Sequence, residues 1–582
     1  MRKVLQSLTR DLPRLGSAGS RSAELHSRDT SDAETATATT QATTAPVPPE
    51  EGPGPVEDPG TVLRPRNDRG LNDRELRRFT LLRIIGTIGS LMLALGALGA
   101  GALPVVDNPY QHFPGGSPMF RMLQTSSMVV MVGVGLLVLA WVLMAPYTGA
   151  AIRHREQIRG RASLPQLRRT FACWVLPIIF TAPLFTQDIY SYLANGSIVL
   201  QGMDPYSAGP VELLGTENHL ARSVPFIWSH SPSPYGPVAL GFAALISALT
   251  NDSIVLGVLA HRLLSLAGVA VAGWAVVKLA RRCRVSAPAA VWLGILNPLT
   301  VLHLIGGIHN ESVLLGFALA GLELGLRGVH RLGTARSRSA VAYLVASGAL
   351  ISCAGMVKVT GFLALGFVGM ALARRLRELG RGQVLSIALA VVVQLVLLVA
   401  TIAVVTLISG IGLGWVSGQG GAASIRSWMS VTTDSGVIAG WLGMLLGLGD
   451  HTEAILTITR AAGILVAVVF IVRMLFATFR GTIHPVGGLG VSTFILVILF
   501  PVVHPWYMLW AILPLAAWAN RLFFRVCVVV YSAAFSFFVL PRGLALPADT
   551  VLVIYVGAAV SFVIIVSLGW WLLRHRGLLD LD

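Results

Sequence analysis

The chain has 582 residues, 54% of them hydrophobic and 12% charged, with a formal net charge of +16. Soluble globular proteins carry about 25% charged residues, so this composition excludes that class, and the mean hydropathy of +0.71 agrees. The basic balance does not point to nucleic acid: it comes in short arginine clusters between apolar runs, as charges that set membrane topology do. Cys173, Cys283, Cys353 and Cys527 lie in or beside apolar segments without CxxC spacing, so neither a disulfide framework nor a metal site is indicated.

The first predicted element is a disordered cytoplasmic tail over 1–75. Its Ser, Thr, Ala, Pro, Arg and Glu residues cannot bury enough apolar surface to offset the entropy of ordering. The rest, 76–582, reads as one transmembrane domain. Apolar runs of about 20 residues recur along it, the length that crosses a hydrocarbon core. The first, 80–104, leaves the cytoplasm from Arg64, Arg66, Arg69, Arg74, Arg77 and Arg78, and an outer loop with Asp107 and Pro109 comes next. The second, 126–147, returns to Arg153, Arg155, Arg159, Arg161, Arg168 and Arg169, and the third, 170–187, goes out to a polar stretch running from Asp188 to Tyr235.

An extracytoplasmic loop over 188–250 is expected to end in an interfacial helix, 237–249, too short to span. The run 253–279 comes inward to Arg281, Arg282 and Arg284. Spans at 286–306 and 311–327 form a pair ending at Arg327, Arg331, Arg336 and Arg338. Those at 339–356 and 359–373 form another, ending at Arg374, Arg375, Arg377 and Arg381. The run 384–409 goes out to a second outer loop, 410–450, with a glycine-rich stretch, Trp415, Arg426, Trp428 and a second interfacial helix at 435–449. Spans at 453–476, 484–503, 506–520, 526–541 and 551–573 finish inside at Arg574 and Arg576. The positive-inside rule gives about 14 spans, within a range of about 12 to 16, and puts both termini in the cytoplasm.

With direction assigned, four polar motifs share the outer face. Asp188 opens Asp188-Ile189-Tyr190-Ser191-Tyr192, where a carboxylate at a span mouth serves as general base or metal ligand, or else as an interfacial Asp in an aromatic belt. Pro-Tyr turns at Tyr206 and Tyr235 shape the same loop. His309-Asn310-Glu311 sits at the turn of a tight hairpin, where such residues need pairing or a wet cavity; the plainer alternative is a polar turn. Lys358 is one of only three lysines, with Lys3 and Lys278. A cation on the outer side in an apolar setting calls for an anion such as phosphate, unless it snorkels. His504-Pro505-Trp506-Tyr507 completes the set; an aromatic belt accounts for Trp506 and Tyr507 but not for His504. The combination fits an enzyme acting at the outer leaflet on a lipid-linked anion.

The strings Asp188-Ile189-Tyr190-Ser191-Tyr192-Leu193-Ala194, Gly202-Met203-Asp204-Pro205-Tyr206, Pro234-Tyr235-Gly236-Pro237, Leu296-Asn297-Pro298, Gly307-Ile308-His309-Asn310-Glu311, Lys358 and Pro505-Trp506-Tyr507 resemble those of the actinobacterial polyprenol-phosphomannose-dependent alpha-1,6-mannosyltransferases. These enzymes elongate the mannan backbone of lipomannan and lipoarabinomannan. The resemblance covers about residues 80 to 573, leaves out the tail, and leans to the initiating rather than the distal branch. It implies an all-α, GT-C-type glycosyltransferase of the plasma membrane whose site faces the extracytoplasmic side. The implied donor is a polyprenyl-phosphate mannose, decaprenyl in type. The implied acceptor is a lipomannan, phosphatidylinositol mannoside or oligomannoside, and no metal is required.

The resemblance implies roles as well. Asp188 becomes the base that deprotonates the acceptor 6-hydroxyl, with Asp107 as rival. Lys358 stabilises the departing phosphate with His504 or Arg426. Tyr190, Tyr192, Tyr206, Tyr235, His309, Asn310, Glu311, Trp506 and Tyr507 bind sugar or lipid. A beta-linked donor and alpha product mean inversion, which needs one base. The alternatives are a GT-C transferase of another polyprenyl-phosphate sugar, a structural scaffold, and a lipid-linked sugar transporter or flippase. Transporters usually show inverted repeats and broken helices with polar groups near the midplane; no inverted repeat is visible, and these polar residues sit at one surface.

Overall fold

The structure, a computed structural model, describes residues 70–104, 106–150, 160–334, 337–417 and 426–575. The expected tail lies almost wholly outside these residues. So do Arg153, Arg155, Arg159, Arg336, Arg576 and the glycine-rich stretch 418–425.

Among the described residues the secondary structure is helical apart from one isolated backbone bridge, between Gly70 and Arg161. The main helices are α1 (Asp73–Ala100), α2 (Leu123–Met144), α3 (Leu164–Ile179), α4 (Asp188–Leu200), α5 (Pro237–Thr250), α6 (Ile254–Arg282), α7 (Ala287–Gly294), α8 (Glu311–Arg331), α9 (Ser337–Gly355), α10 (Leu363–Glu378), α11 (Gln383–Ser409), α12 (Val431–Leu445), α13 (Thr452–Arg480), α14 (Pro485–Leu499), α15 (Leu509–Trp518), α16 (Leu522–Phe535) and α17 (Ala548–His575). Nine helices among the described residues are long and apolar enough to cross a membrane; α5, α14 and α16 are shorter apolar helices.

Several expected spans are broken helices, and proline is the physical reason. The run 286–306 is α7, then Asn297-Pro298, then a π-helical turn, Thr300–Gly306. Pro298 has no N–H to donate. Asn297 replaces what the break removes: its side-chain amide donates to the Leu293 carbonyl at 3.0 Å and to Ser532 Oγ at 2.8 Å, and its Oδ1 accepts from Leu299 N at 2.9 Å. The run 170–187 is helical only to Ile179; Pro183 lies beyond it in an irregular segment that delivers Asp188. The segment before α15 is a short 3-10 turn, Pro505–Met508. Broken helices therefore exist here, and their presence no longer argues between transporter and enzyme.

Packing separates an inner bundle from an outer wall. In the most apolar window of α8, 78% of residues are buried, and in that of α2, 72%; in α11, α13 and α17 the shares are 11%, 17% and 11%. The last three present apolar side chains outward, as lipid-facing helices do. The inner helices approach closely through small residues. A Cβ built on Gly89 of α1 would lie 2.6 Å from the Gly133 carbonyl of α2, and the reverse is equally tight. Two turns further along α2, Trp141 and Trp292 stack with centroids 5.1 Å apart, and each indole N–H donates to the other's carbonyl, at 2.9 and 2.8 Å. This pair fastens the short α7 to a full span.

The two short segments expected to lie at the interface are helical, as α5 and α12, the second shifted from the expected 435–449 to Val431–Leu445. α5 packs along α4. The start of α12 is stitched to the segment before Pro505: Ser430 donates to the Phe500 carbonyl at 2.7 Å and Thr433 to the Pro501 carbonyl at 2.7 Å.

Candidate active site

Four stretches far apart in the chain meet at one place: the start of α4, the turn before α8, the link between α9 and α10, and the turn before α15. Each is a helix terminus or break, where backbone leaves the bundle and polar side chains need partners.

Asp188 is the first residue of α4, with its side chain 25% exposed. Its Oδ1 accepts the indole N–H of Trp228 at 3.1 Å, its backbone N–H donates to Thr186 Oγ1 at 3.1 Å, and its Oδ2 lies 3.8 Å from His309 Nδ1. Burial pushes the carboxyl above the ordinary Asp range; the Trp228 bond opposes this, the nearby Glu311 charge adds to it, and Thr186 and Lys358 oppose it. A carboxylate moved this way is a stronger proton acceptor.

On the next turns of α4, Ser191, Tyr192 and Asn195 share the face of Asp188, the spacing that stacks side chains along a helix. With Trp228, Ser231, Ser233 and Tyr235 they line a narrow cleft beside the carboxylate. A second narrow cleft shares Tyr192, Asn195 and Tyr235 as a wall. It is otherwise mostly apolar, lined by Leu240, Phe242, Leu264, Val313 and Val357 together with His261 and Asn310. The dividing wall is a tyrosine pair: Tyr192 and Tyr235 meet edge to face at 5.2 Å with hydroxyls 3.3 Å apart.

Lys358 Nζ donates to Glu311 Oε1 at 2.8 Å and to the Tyr507 hydroxyl at 2.8 Å, and lies 4.2 Å from the Tyr507 ring centre and 5.4 Å from that of Trp510. Its side chain is 21% exposed. Burial disfavours the ammonium and is the largest single effect, but the Glu311 charge and hydrogen bond together with the Tyr507 and Tyr235 hydroxyls outweigh it, and the lysine is held charged well above its ordinary range. The carboxylate satisfies the cation within the protein, and the snorkelling alternative does not describe it.

Trp506 organises the rest. His309, His504 and His303 stack on it at centroid distances of 4.0, 4.6 and 4.9 Å. Burial keeps two of these imidazoles neutral: His309 is pushed down to about 3 and His504 to about 4. The His309–Asp188 approach is therefore a polar contact rather than an ion pair.

The structure thus gathers Asp188, Tyr192, Tyr235, His309, Asn310, Glu311, Lys358, His504, Trp506 and Tyr507. Tyr206 touches the rim, its hydroxyl donating to the Tyr235 carbonyl at 2.9 Å. Tyr190 is not brought in. Its ring is fully buried and its hydroxyl donates to the Ala102 carbonyl at 2.6 Å, so neither face nor hydroxyl is offered. Arg426 is also apart: it is exposed and paired with Glu453. The rival Asp107 has its side chain 82% exposed, 4.0 Å from Arg222, and lines neither of these clefts. Sequence reasoning missed Trp228, Ser191, Asn195 and His303. The polar positions 188, 191, 192 and 195 carried a helical-face signal; Trp228 and His303 carried none. Among the described residues, no group of three or more His, Cys, Asp or Glu side chains is arranged to hold a metal ion.

Two family models match the chain: one described as alpha-(1->6)-mannopyranosyltransferase, N-terminal domain, over residues 83–374, and one described as MptB C-terminal domain, over residues 432–567. The chain belongs to the alpha-(1->6)-mannopyranosyltransferase family. It is 63% identical to alpha-(1->6)-mannopyranosyltransferase B of Corynebacterium glutamicum, over 99% of this chain and 93% of that one. It is 41% identical to a probable alpha-(1->6)-mannopyranosyltransferase of Mycolicibacterium smegmatis, over 80% and 84% of the two chains. Among solved structures, an oligosaccharyltransferase from Archaeoglobus fulgidus aligns with a TM-score of 0.34 and 14% identity, over 62% of this chain and 50% of that one; a likeness of that size carries no argument. A member of this family is a membrane glycosyltransferase, with a lipid-linked sugar donor and a glycan acceptor. The transporter and scaffold alternatives fall with that membership.

Proposed function

We propose that the protein transfers mannose from polyprenyl-phosphate mannose to the 6-hydroxyl of a mannan acceptor at the extracytoplasmic face of the plasma membrane, forming an alpha-1,6 linkage with inversion. The observation that carries the reading is that a carboxylate, Asp188, lines the polar cleft beside the Tyr192–Tyr235 wall, while a largely shielded ammonium, Lys358, stands near enough for its charge to reach both Asp188 and Tyr235.

The acceptor sugar occupies the polar cleft, with its 6-hydroxyl against the Asp188 carboxylate. The isoprenoid of the donor lies along the apolar cleft, which suits a hydrocarbon chain. As the acceptor oxygen bonds to the donor anomeric carbon, its proton passes to Asp188. The bond from that carbon to the phosphate oxygen breaks, and the electron pair leaves with polyprenyl phosphate. Lys358 offsets the charge growing on that oxygen. Neutral His309 and His504 can donate or accept hydrogen bonds to sugar hydroxyls without adding charge. Arg426, paired with Glu453 outside the cluster, drops out of the phosphate set. The domain division, the cytoplasmic placement of both termini, GT-C membership and the initiating branch belong to the same reading, as does phosphate stabilisation by protein groups alone.

The test is to incubate the purified protein with polyprenyl-phosphate mannose and short alpha-1,6-mannosides, then determine the linkage formed. Expected are an alpha-1,6-extended product and one equivalent of polyprenyl phosphate. Transfer from another polyprenyl-phosphate sugar, with none from mannose, overturns the donor assignment.

A further inference from the structure

Arg262, on the third turn of α6, is 1% exposed. A guanidinium withdrawn from both water and carboxylates inside an apolar bundle must have its donors satisfied. Among the described residues no carboxylate lies within ion-pair distance of it. Five backbone carbonyls take that place: Ile179 at 2.9 Å, Thr181 at 2.6 Å, Ala182 at 3.2 Å, Ile305 at 3.3 Å and Gly306 at 3.4 Å.

Those carbonyls belong to two places only. Ile179, Thr181 and Ala182 mark where α3 ends, and Ile305 and Gly306 mark where the π-helical turn ends. Both are helix C-termini, with carbonyls lacking intrahelical donors and the negative end of a helix dipole. One planar cation with donors fanned in a fork can cap both at once. The two ends are also joined directly, since Leu184 N donates to the Gly306 carbonyl at 3.1 Å.

Each of these ends leads within a few residues into the candidate active site. The first segment runs from Ala182 to Asp188, the second from Gly306 to His309 and Glu311. Each passes through a side-chain-bearing residue in the left-handed region, Phe185 at φ 67° and Ile308 at φ 57°. Ile308 is β-branched and especially disfavoured there. Such backbone persists only where its surroundings over-determine it: Phe185 N donates to the Pro541 carbonyl at 2.7 Å, and Arg262 holds the ends from which both segments depart.

We infer that Arg262 is a positioning residue for the transfer reaction: it clamps the two broken-helix ends that present Asp188 and His309, and so fixes the 3.8 Å approach between them. It touches no substrate in the proposed reading, on which this inference rests. Lysine keeps the charge but offers a point donor that cannot span five carbonyls in two segments.

The experiment compares the full-length protein with Arg262→Lys and Arg262→Met in lipid nanodiscs. Folding is checked by thermal unfolding, and kcat and donor KM are measured separately. Expected for Arg262→Lys is a folded protein whose kcat falls by about 10²-fold, as for a displaced catalytic group, with donor KM changed less than about threefold. Spin labels at Gln201 and His330, exposed sites at the far ends of α4 and α8, give a second readout independent of chemistry. Their distance distribution is expected to broaden in Arg262→Lys. A wild-type protein that does not turn over sinks the proposed reaction, and the labels still decide the clamp. An unbroadened distribution in folded Arg262→Lys overturns the inference. So does an unchanged kcat, or a loss of activity matching only the loss of folded protein.

Discussion

Replacing Trp228 by phenylalanine keeps an aromatic ring on the wall of the polar cleft and removes one hydrogen bond, the 3.1 Å donation from the indole N–H to Asp188 Oδ1. Hydrogen bonds to charged groups contribute about 1.5–3 kcal/mol. The Asp188 side chain is 25% exposed, so water replaces part of what is lost, and the lower end of that range applies. At 1.36 kcal/mol per pH unit, about 1.4 kcal/mol corresponds to about one unit. Trp228 favours the charged carboxylate, so its removal raises the Asp188 pKa further, in the direction burial already pushes it. At a given pH below the midpoint, less base is deprotonated. The acid limb of kcat/KM for mannose transfer should therefore move up by about one pH unit, with the high-pH plateau kept within about threefold. The assay is the rate of labelled mannose transfer to a short mannoside across roughly pH 5 to 9, with unfolding temperature as control. An acid limb that stays in place, or moves down, refutes the assignment of Asp188 as the group titrating in catalysis.

Asp188→Asn should lower kcat by about 10²- to 10⁴-fold, the usual contribution of a general base, in a protein that still inserts and unfolds at the wild-type temperature. Asp107→Asn, at an exposed site beside Arg222, should stay within about threefold of wild type, since exposed pairs contribute little; the reverse pattern exchanges the two roles. Lys358→Met strands Glu311, 3% exposed, and should destabilise the protein by about 3–5 kcal/mol. The double variant Lys358→Met with Glu311→Gln should regain most of that stability, by thermal unfolding, without regaining donor turnover. Recovery of turnover would remove Lys358 from phosphate stabilisation.

The meeting of Asp188, His309, Lys358 and His504 was legible because ionisable residues are scarce in this chain and cannot sit unpaired in hydrocarbon. A cation beside apolar residues announces a partner, although sequence alone pointed to phosphate where the resting structure supplies Glu311. The two tyrosines of Asp188-Ile189-Tyr190-Ser191-Tyr192 were not separable without the helix. At 3.6 residues per turn, Tyr192 returns to the face of Asp188 and Tyr190 turns into the core. The segments 170–187 and 286–306 read as whole spans in sequence because hydropathy registers apolar residues and is blind to a missing backbone donor at Pro183 or Pro298. Trp228 was invisible for a different reason: its partner lies 40 residues away, and only the folded loop makes them neighbours. Arg262 reads in sequence as a stray charge within a span, because its partners are main-chain carbonyls that no residue pattern reveals.

The pairing of Lys358 with Glu311 neutralises the ammonium within the protein before any substrate arrives. A polyprenyl-phosphate sugar is a diester with a single negative charge, whereas the released lipid phosphate acquires a second. On the proposed assignment, an ammonium already shared with a carboxylate has little left for the first charge and can redistribute toward the second as it forms. Such a counterweight favours the late, charge-rich part of the reaction over the bound donor, the asymmetry that speeds chemistry rather than tightening binding. It also gives the lysine a partner to return to, so that the spent lipid carrier need not be held after the sugar has gone.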